Sequence, residues 1–137
     1  MYNNKKIIGI VGKIGSGKSY LLNILKENTK VNCIDCDEIV RDLMPKEQRE
    51  AIIKSHGIKY LEQILFKDIR DIVEVGLSYD WHDVIAIEGI KTKELFDDII
   101  DVYIEFDVPY EIRKQRALSR GDSEEKFEYL NKLQEDL

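Results

Sequence analysis

The chain has 137 residues, of which 43% are hydrophobic and 35% charged, and its net charge is −6 with a pI near 5.0. This length allows one domain with a modest core, and the composition excludes a disordered or fibrous chain. The acidic balance leaves no overall basic surface for nucleic acid or anionic lipid. No apolar run reaches the length of a membrane span, and residues 1–6 do not resemble a cleaved leader. We therefore expect one cytoplasmic domain over residues 1–137 without nucleic-acid or membrane partners, and its oligomeric state is not indicated.

Short apolar runs alternate with helical patterns along the chain, which is typical of βαβ proteins with a parallel sheet. The predicted strands cover residues 6–11, 31–34, 84–87 and 99–106. The predicted helices cover residues 38–44, 46–55, 59–75 and 92–97, with one more after the first glycine-rich loop and two after residue 108. We predict an α/β fold in which about four strands form a short parallel sheet with helices on both faces.

Glycine, proline and capping residues predict where these helices begin and end. The helices in the middle of the chain are expected to be separated at Pro45, Gly57 and Gly76. Pro109 fits the first turn of the following helix, and Gly121 fits its end. Asp122 and Glu125 resemble a capping box, which predicts that the last helix begins there.

The loop after the first strand carries the strongest motif, G-x-x-x-x-G-K-[ST]. Glycines let backbone N–H groups approach phosphate oxygens, and the following helix directs its positive end at the same anion. Lys18 would reach the β- and γ-phosphates, and the Ser19 hydroxyl would ligate Mg²⁺. The motif predicts that Mg·ATP binds here, on Gly12, Lys13, Ile14, Gly15, Ser16, Gly17, Lys18, Ser19 and Tyr20.

Acidic residues follow three of the predicted strands, at the edge where α/β sheets bind ligands. Asp35 and Asp37 follow the second strand, and Glu88 ends the third. A carboxylate directly after a buried strand can hold Mg²⁺, so Glu88 is a candidate metal ligand. Glu105 and Asp107 follow the fourth strand, where we interpret them as a solvated strand end and a cap for the next helix.

Two groups of charged residues have spacings that suit phosphoryl transfer. Asp37 and Arg41 are four residues apart, so on a helix they form either an acceptor site or an inconsequential surface ion pair, and the spacing favours neither. The later helix carries Arg113, Lys114, Arg116 and Arg120. Because arginines stabilise the charge on a transferred phosphoryl group, we predict this role for Arg116 and Arg120; the alternative is a solvated helix face.

Cys33 and Cys36 form a C-x-x-C pair. The further ligands that a zinc site needs are not visible at similar spacing, and the pair does not open a helix as in thioredoxin-like proteins. We interpret the two cysteines as small residues near the end of a strand.

Three stretches, residues 7–19, 34–41 and 107–120, resemble the dephospho-CoA kinases, which belong to the P-loop nucleotide-kinase group. The resemblance implies a three-layer P-loop NTPase fold, with an acceptor-side helical insertion at about 42–80 and a lid-like region at about 109–125. The family pattern D-x-D-x-x-x-R falls on Asp35, Asp37 and Arg41, and it implies that Asp37 lies near the accepting ribose hydroxyl. The family's lid arginines fall on Arg116 and Arg120. The family's C-terminal strand has no counterpart in this sequence.

These features together predict an ATP-dependent kinase that transfers the γ-phosphoryl group to a nucleotide-like small molecule, with Mg²⁺ as cofactor. Two alternatives stay open. Gly12 is followed by Lys13 rather than by a second glycine, which looks more like phage-type deoxynucleoside monophosphate kinases. The short insertion also allows a reduced ATP-binding protein that transfers nothing.

Overall fold

The computed structural model describes residues 2–28, 30–89 and 91–134. Within them, four strands form one parallel sheet in the order β2-β3-β1-β4. The strands are β1 (Lys6–Gly12), β2 (Val31–Asp35), β3 (Val84–Glu88) and β4 (Val102–Phe106). Because β1 lies between β3 and β4, the loop after β1 emerges from the middle of the sheet.

Helices cover both faces of the sheet, so the predicted α/β fold is confirmed. They are α1 (Lys18–Lys26), α2 (Cys36–Leu43), α3 (Lys46–His56), α4 (Ile58–Tyr79), α5 (Thr92–Phe96), α6 (Tyr110–Ser119) and α7 (Glu124–Leu133). On one face, α4 packs a stripe of buried residues at every fourth position against β1 and β3: Leu61, Leu65, Ile69, Val73 and Leu77. On the other face, Leu22 of α1 packs against Ile10 and Ala86. A smaller cluster joins α6 and α7 to the loop after β1 through Ile14, Ala117 and Phe127.

Two predicted boundaries were wrong, one because of tertiary packing and the other because of a local turn. Gly76 lies within α4, since the buried stripe continues through Val73 and Leu77 on either side of it. A glycine inside a helix costs about 1 kcal/mol, and the burial of one leucine or valine side chain contributes about 1.5–3 kcal/mol. The fourth strand begins at Val102 rather than at residue 99, because the backbone N–H of Ile99 bonds to Phe96 in the turn that follows α5.

The helix starts also differ from the sequence prediction. The cap of α7 is Ser123, which accepts a hydrogen bond from the backbone N–H of Lys126 at 3.1 Å. Asp122 instead accepts hydrogen bonds from the side chains of Arg120 and Lys126. The expected cap at Asp107 is also wrong, because α6 begins after Pro109 and no side chain caps it.

The second helix begins two residues earlier than predicted. The Asp35 carboxylate accepts hydrogen bonds from the backbone N–H groups of Asp37 at 3.0 Å and Glu38 at 3.2 Å, which starts α2 at Cys36. Both cysteines are free thiols. Cys33 lies in β2, near the strand end as expected, whereas Cys36 is buried as the first residue of α2, because the Asp35 cap starts this helix earlier than predicted. Among the described helices, none combines the length and the apolar character that crossing a bilayer requires.

Candidate active site

The carboxyl ends of the parallel strands bring the predicted site residues to one edge of the sheet. In the register of the sheet, Asp35 lies beside Glu88, and Glu88 lies beside Ile10, two residues before the glycine-rich loop. On the opposite side of β1, Gly12 pairs with Phe106. The loop after β1 and the carboxylates after β2 and β3 therefore meet at the same edge, as the sequence predicted.

Glycine is required at Gly15 and Gly17 because their φ angles are +77° and +102°. A Cβ at Gly15 would also lie 2.8 Å from the carbonyl carbon of Arg113 and closer still to its oxygen, so the loop packs directly on the backbone of α6. Gly17 immediately precedes α1. The loop therefore forms a tight turn that leads directly into α1, and no described side chain caps the N-terminus of this helix.

The loop presents free backbone donors and so fits a bound phosphate. Among the described residues, no acceptor contacts five backbone N–H groups at the end of the loop and the start of α1, those of Gly15, Gly17, Lys18, Ser19 and Tyr20. The Ser16 hydroxyl is buried and also has no hydrogen-bond partner in the described part of the chain. Unpaired donors at a helix N-terminus bind anions, because the helix dipole adds a positive potential there.

Lys18 lies close to the carboxylates, with its Nζ 3.6 Å from Oε1 of Glu88. Glu88 is only 3% exposed, and burial raises the pKa of its carboxyl group to about 7. Lys18 opposes that rise, whereas the negative charges of Asp37 and Asp35 add to it. Burial also raises the pKa of Asp37, and Lys18 and Arg41 oppose this rise while Asp35 adds to it. The positive charge of Lys18 thus stabilises the ionised forms of both Glu88 and Asp37.

This group of carboxylates has a composition and spacing that suit a divalent cation. Oxygen atoms of Asp35, Asp37 and Glu88 all lie within 4.8 Å of one another. Mg²⁺ prefers such hard oxygen ligands and is usually held by one or two carboxylates together with substrate phosphates. Ser19, the other predicted metal ligand, is exposed at the start of α1 and lines the same cavity. The residues present therefore fit Mg²⁺.

A cavity of about 1120 Å³ extends from the loop to α3 and α4. On the loop side it is lined by residues 14–20, and beyond Asp37 its walls include the apolar side chains of Ile53, Leu61 and Leu65. Arg41, the other member of the Asp37 pair, lines the cavity and forms no ion pair within the described residues. The glycine-rich loop and the space beyond Asp37 thus line one continuous cavity.

Arg49 is a site residue that the sequence analysis missed. It lies on α3 and lines the cavity, and its positive charge opposes the rise in the pKa of Asp37 that burial causes. Its Nε is buried, and no described residue accepts a hydrogen bond from it. Lys91 lines the same cavity beside Glu62, at 3.7 Å between Nζ and Oε1. No spacing rule identifies Arg49, because α3 carries no motif and only the fold brings this residue near Asp37.

The basic residues of α6 divide into separate groups. Arg116 donates a hydrogen bond to the backbone oxygen of Ser16 at 3.3 Å, so it reaches across the glycine-rich loop. Arg120 also lines the cavity, but its guanidinium pairs with Asp122 at 2.6 Å. Arg113 does not share a solvated face with them, because it is buried and bonded to backbone oxygens of Val108 and Ile14.

The remaining charged candidates are not at this edge of the site. Lys114 forms ion pairs with Glu124 at 2.8 Å and Glu128 at 3.4 Å, which join α6 to α7. Glu105 pairs with Lys93 on the surface, in agreement with its interpretation as a solvated strand end. Lys13, which was predicted to contact the nucleotide, lines a smaller cavity of about 280 Å³ with Asp107 on the β4 side of the loop.

Comparison with known proteins establishes the family of this chain. Residues 8–136 match the model of a protein family described as AAA domain. Since this match spans nearly the whole sequence, the chain belongs to the AAA domain family.

Similar proteins of known activity are kinases. A dephospho-CoA kinase of Aquifex aeolicus is 29% identical over 156 residues, which cover 90% of this chain and 77% of the relative. A uridine kinase of Staphylococcus epidermidis is 26% identical over 149 residues, covering 89% and 71% of the two chains. The prediction of a P-loop phosphotransferase is therefore confirmed at this general level, and its acceptor is not specified by these relatives.

Solved structures confirm the three-layer P-loop fold. A Thermus thermophilus protein superposes with a TM-score of 0.72 at 23% identity, and the match covers 95% of this chain and 80% of that one. The shikimate kinase of Acinetobacter baumannii superposes with a TM-score of 0.55 at 19% identity, covering 96% and 76%. At these identities the likeness extends to the fold alone.

Proposed function

We propose that this chain is a Mg²⁺-dependent kinase resembling dephospho-CoA kinase, which transfers the γ-phosphoryl group of ATP to a hydroxyl group of a nucleotide-like acceptor. The observation that carries the proposal is the position of Asp37. It lines the same cavity as the glycine-rich loop, and it faces the part of that cavity formed by α3 and α4. A protein that only binds ATP has no need for a partly buried carboxylate beyond the phosphate loop.

The loop side of the site would hold and neutralise the phosphates. The free N–H groups from Gly15 to Tyr20 would bind phosphate oxygens, and Lys18 would exchange part of its attraction to Glu88 for the β- and γ-phosphates. Arg116 lies against the loop at Ser16, where its guanidinium would stabilise negative charge on the transferred group. Arg120 would join it after leaving Asp122, whose carboxylate would keep its second partner, Lys126.

Asp37 would act on the acceptor. Burial raises the pKa of its carboxyl group, and a base with a pKa nearer to neutrality accepts a proton more effectively. Asp37 would orient the acceptor hydroxyl and take up its proton as the bond to phosphorus forms. Ser19 and Glu88 would hold Mg²⁺, which when bound would neutralise negative charge that develops on the phosphates.

The acceptor side of the cavity favours an anionic acceptor with apolar parts. Arg41 and Arg49 supply two guanidinium groups, and neither forms an ion pair among the described residues. Arginine binds phosphate with paired hydrogen bonds, so a phosphate-bearing acceptor fits better than a neutral one. The apolar side chains of α4 would cover the remainder of the molecule.

The same two arginines support a second candidate, a deoxynucleoside monophosphate kinase. In that reaction the acceptor atom is a phosphate oxygen, which is already ionised and needs no base. The two candidates therefore differ in their demand for Asp37: a hydroxyl acceptor depends on it strongly, and a phosphate acceptor depends more on Arg41 and Arg49.

A coupled assay of ADP release with Mg·ATP tests the proposal, with dephospho-CoA, uridine and a panel of deoxynucleoside monophosphates as acceptors. We expect release that depends on dephospho-CoA and that falls at least 100-fold in Asp37→Asn. The matched control is Asp42→Asn, an exposed aspartate on the same helix. Release with a deoxynucleotide, retained in Asp37→Asn, would support the second candidate. ATP binding without transfer to any acceptor would contradict both.

A further inference from the structure

Ile14, in the middle of the glycine-rich loop, has both of its backbone polar groups hydrogen-bonded to side chains, one from α6 and one from the end of α7. Its N–H donates to Oε1 of Gln134 at 2.6 Å, and its carbonyl oxygen accepts from the Arg113 guanidinium at 3.3 Å. These contacts join residues that are 120 and 99 positions apart in the sequence. They are among the most distant hydrogen bonds in the described chain, and all three residues are buried.

Both side chains are themselves fixed in position. Gln134 ends α7, where its backbone N–H bonds to the carbonyl oxygens of Leu130 and Asn131. The Arg113 guanidinium also donates to the Asn131 side chain at 2.9 Å and to the backbone oxygen of Val108. Burial of the Gln134 amide oxygen and the Arg113 guanidinium costs free energy, and the hydrogen bonds to Ile14, Asn131 and Val108 offset that cost.

We propose that Gln134 and Arg113 are positioning residues for phosphate binding, and we call the pair the Ile14 clamp. The proposal rests on the proposed function, in that it requires the loop to bind a nucleotide. By fixing the peptide groups on both sides of Ile14, the clamp sets the backbone that enters Gly15. The free N–H groups of the next residues are then already oriented towards the phosphates, so binding does not require the loop to lose conformational entropy.

The clamp also ties the arginine-bearing helix to the loop. Gly15 packs against the backbone carbonyl of Arg113, and Arg116 lies one helical turn further along α6, against Ser16. Since Arg113 and Arg116 are on the same helix, a change at the clamp alters the loop and the phosphate-side arginine together. Helices α6 and α7 therefore hold one side of the phosphate site in place. Within this pair, Gln134 contacts the loop and not the nucleotide, so it acts only through Ile14.

The test compares two substitutions that weaken the same region in different ways. Gln134→Met keeps the length of the side chain and removes the hydrogen-bond acceptor. Phe127→Leu opens a cavity in the buried cluster and removes the ring that lies 5.9 Å from Arg113, but it leaves the hydrogen-bonding groups of Gln134 and Arg113 in place. Lys132→Met is the surface control, an exposed position of α7 with the same introduced residue. The two measurements are the dissociation constant of Mg·ADP by titration calorimetry and the hydrogen-exchange rate of the Ile14 amide by NMR.

We expect Gln134→Met to raise the dissociation constant of Mg·ADP about 5- to 20-fold and to accelerate hydrogen exchange of the Ile14 amide at least 10-fold. The reason is the loss of the hydrogen bond from the Ile14 N–H to the Gln134 side chain, which holds the loop in position. Phe127→Leu should lower the melting temperature more and change the dissociation constant less than 2-fold. Binding that falls in step with melting temperature in both variants would overturn the proposal, as would unchanged binding in Gln134→Met. Failure of the wild type to bind Mg·ADP would overturn the proposed function, and the clamp with it.

Discussion

Glu88→Gln should make the protein more stable at alkaline pH and less active. In the folded protein the carboxyl group of Glu88 has a pKa of about 7, against an ordinary value of 4.5, because it is buried and faces Asp37 and Asp35. The folded state therefore holds the proton to a higher pH than the unfolded state. Stability from this group is complete below pH 4.5, is lost as the pH rises, and is gone above about pH 7.

The magnitude follows from the difference between the two pKa values. A shift of roughly 2.5 pH units corresponds to about 3 kcal/mol, since each unit is worth 1.36 kcal/mol. Little solvent screens this group, because Glu88 is almost fully buried. The glutamine side chain is uncharged at every pH. The free energy of unfolding of the variant, relative to the wild type, should therefore increase by about 3 kcal/mol between pH 4.5 and pH 8. The attraction between Lys18 and the ionised Glu88 carboxylate needs no separate correction, because it is one of the contributions that set the pKa of about 7.

Urea unfolding followed by circular dichroism, with EDTA present, measures the free energy of unfolding at pH 5 and pH 8. Glu47→Gln, an exposed glutamate of α3, serves as the control and should follow the wild type at both pH values. Parallel pH profiles for the wild type and Glu88→Gln would refute the reasoning, because they would mean that Glu88 is ionised in the folded state at no cost. In the same variant, turnover should fall, because glutamine would be a weaker ligand than the Glu88 carboxylate for Mg²⁺.

Three further predictions concern the loop and the acceptor cavity. Lys18→Ala should weaken Mg·ATP binding at least 10-fold in a calorimetric titration, and Lys26→Ala, at the far end of the same helix, should not change it. Gly15→Ala should destabilise the protein by about 2 kcal/mol or more in thermal unfolding and abolish ATP binding, because its φ is +77° and a Cβ collides with the Arg113 backbone; a variant that binds normally would contradict the loop geometry. Arg49→Met should raise the KM for a phosphate-bearing acceptor about 10- to 100-fold and leave the KM for ATP within 2-fold, and equal changes in both would argue against its place on the acceptor side.

The sequence predicted the parts of this structure that depend on local rules. The glycine-rich loop was identifiable because its glycines, lysine and serine stand at fixed spacing between a strand and a helix. Asp37 and Glu88 were identifiable because each lies at or just beyond the carboxyl end of an apolar strand, and parallel strands end at one edge. The alternation of apolar runs with helical patterns was sufficient for the number and direction of the strands.

The remaining features depend on tertiary contacts that no local pattern encodes. Gly76 did not end a helix, because the packing of α4 on the sheet outweighs the cost of one glycine. Arg113 matched Arg116 in residue type and helical spacing, but the fold buries the first and leaves the second exposed beside the loop. Arg49 and Gln134 carry no motif, and their roles follow only from what lies opposite them across a cavity or a buried contact.

The central claim, that this site moves a phosphoryl group to an acceptor held beyond Asp37, is tested most directly by a single-turnover experiment. Enzyme in excess over γ-labelled ATP and Mg²⁺ would be mixed with dephospho-CoA, quenched over time, and the products separated and identified by mass spectrometry. We predict that the label moves to a ribose hydroxyl of the acceptor, and at least 100-fold more slowly in Asp37→Asn. Label that remains on bound ATP, or that leaves only as free phosphate whichever acceptor is present, would contradict the account.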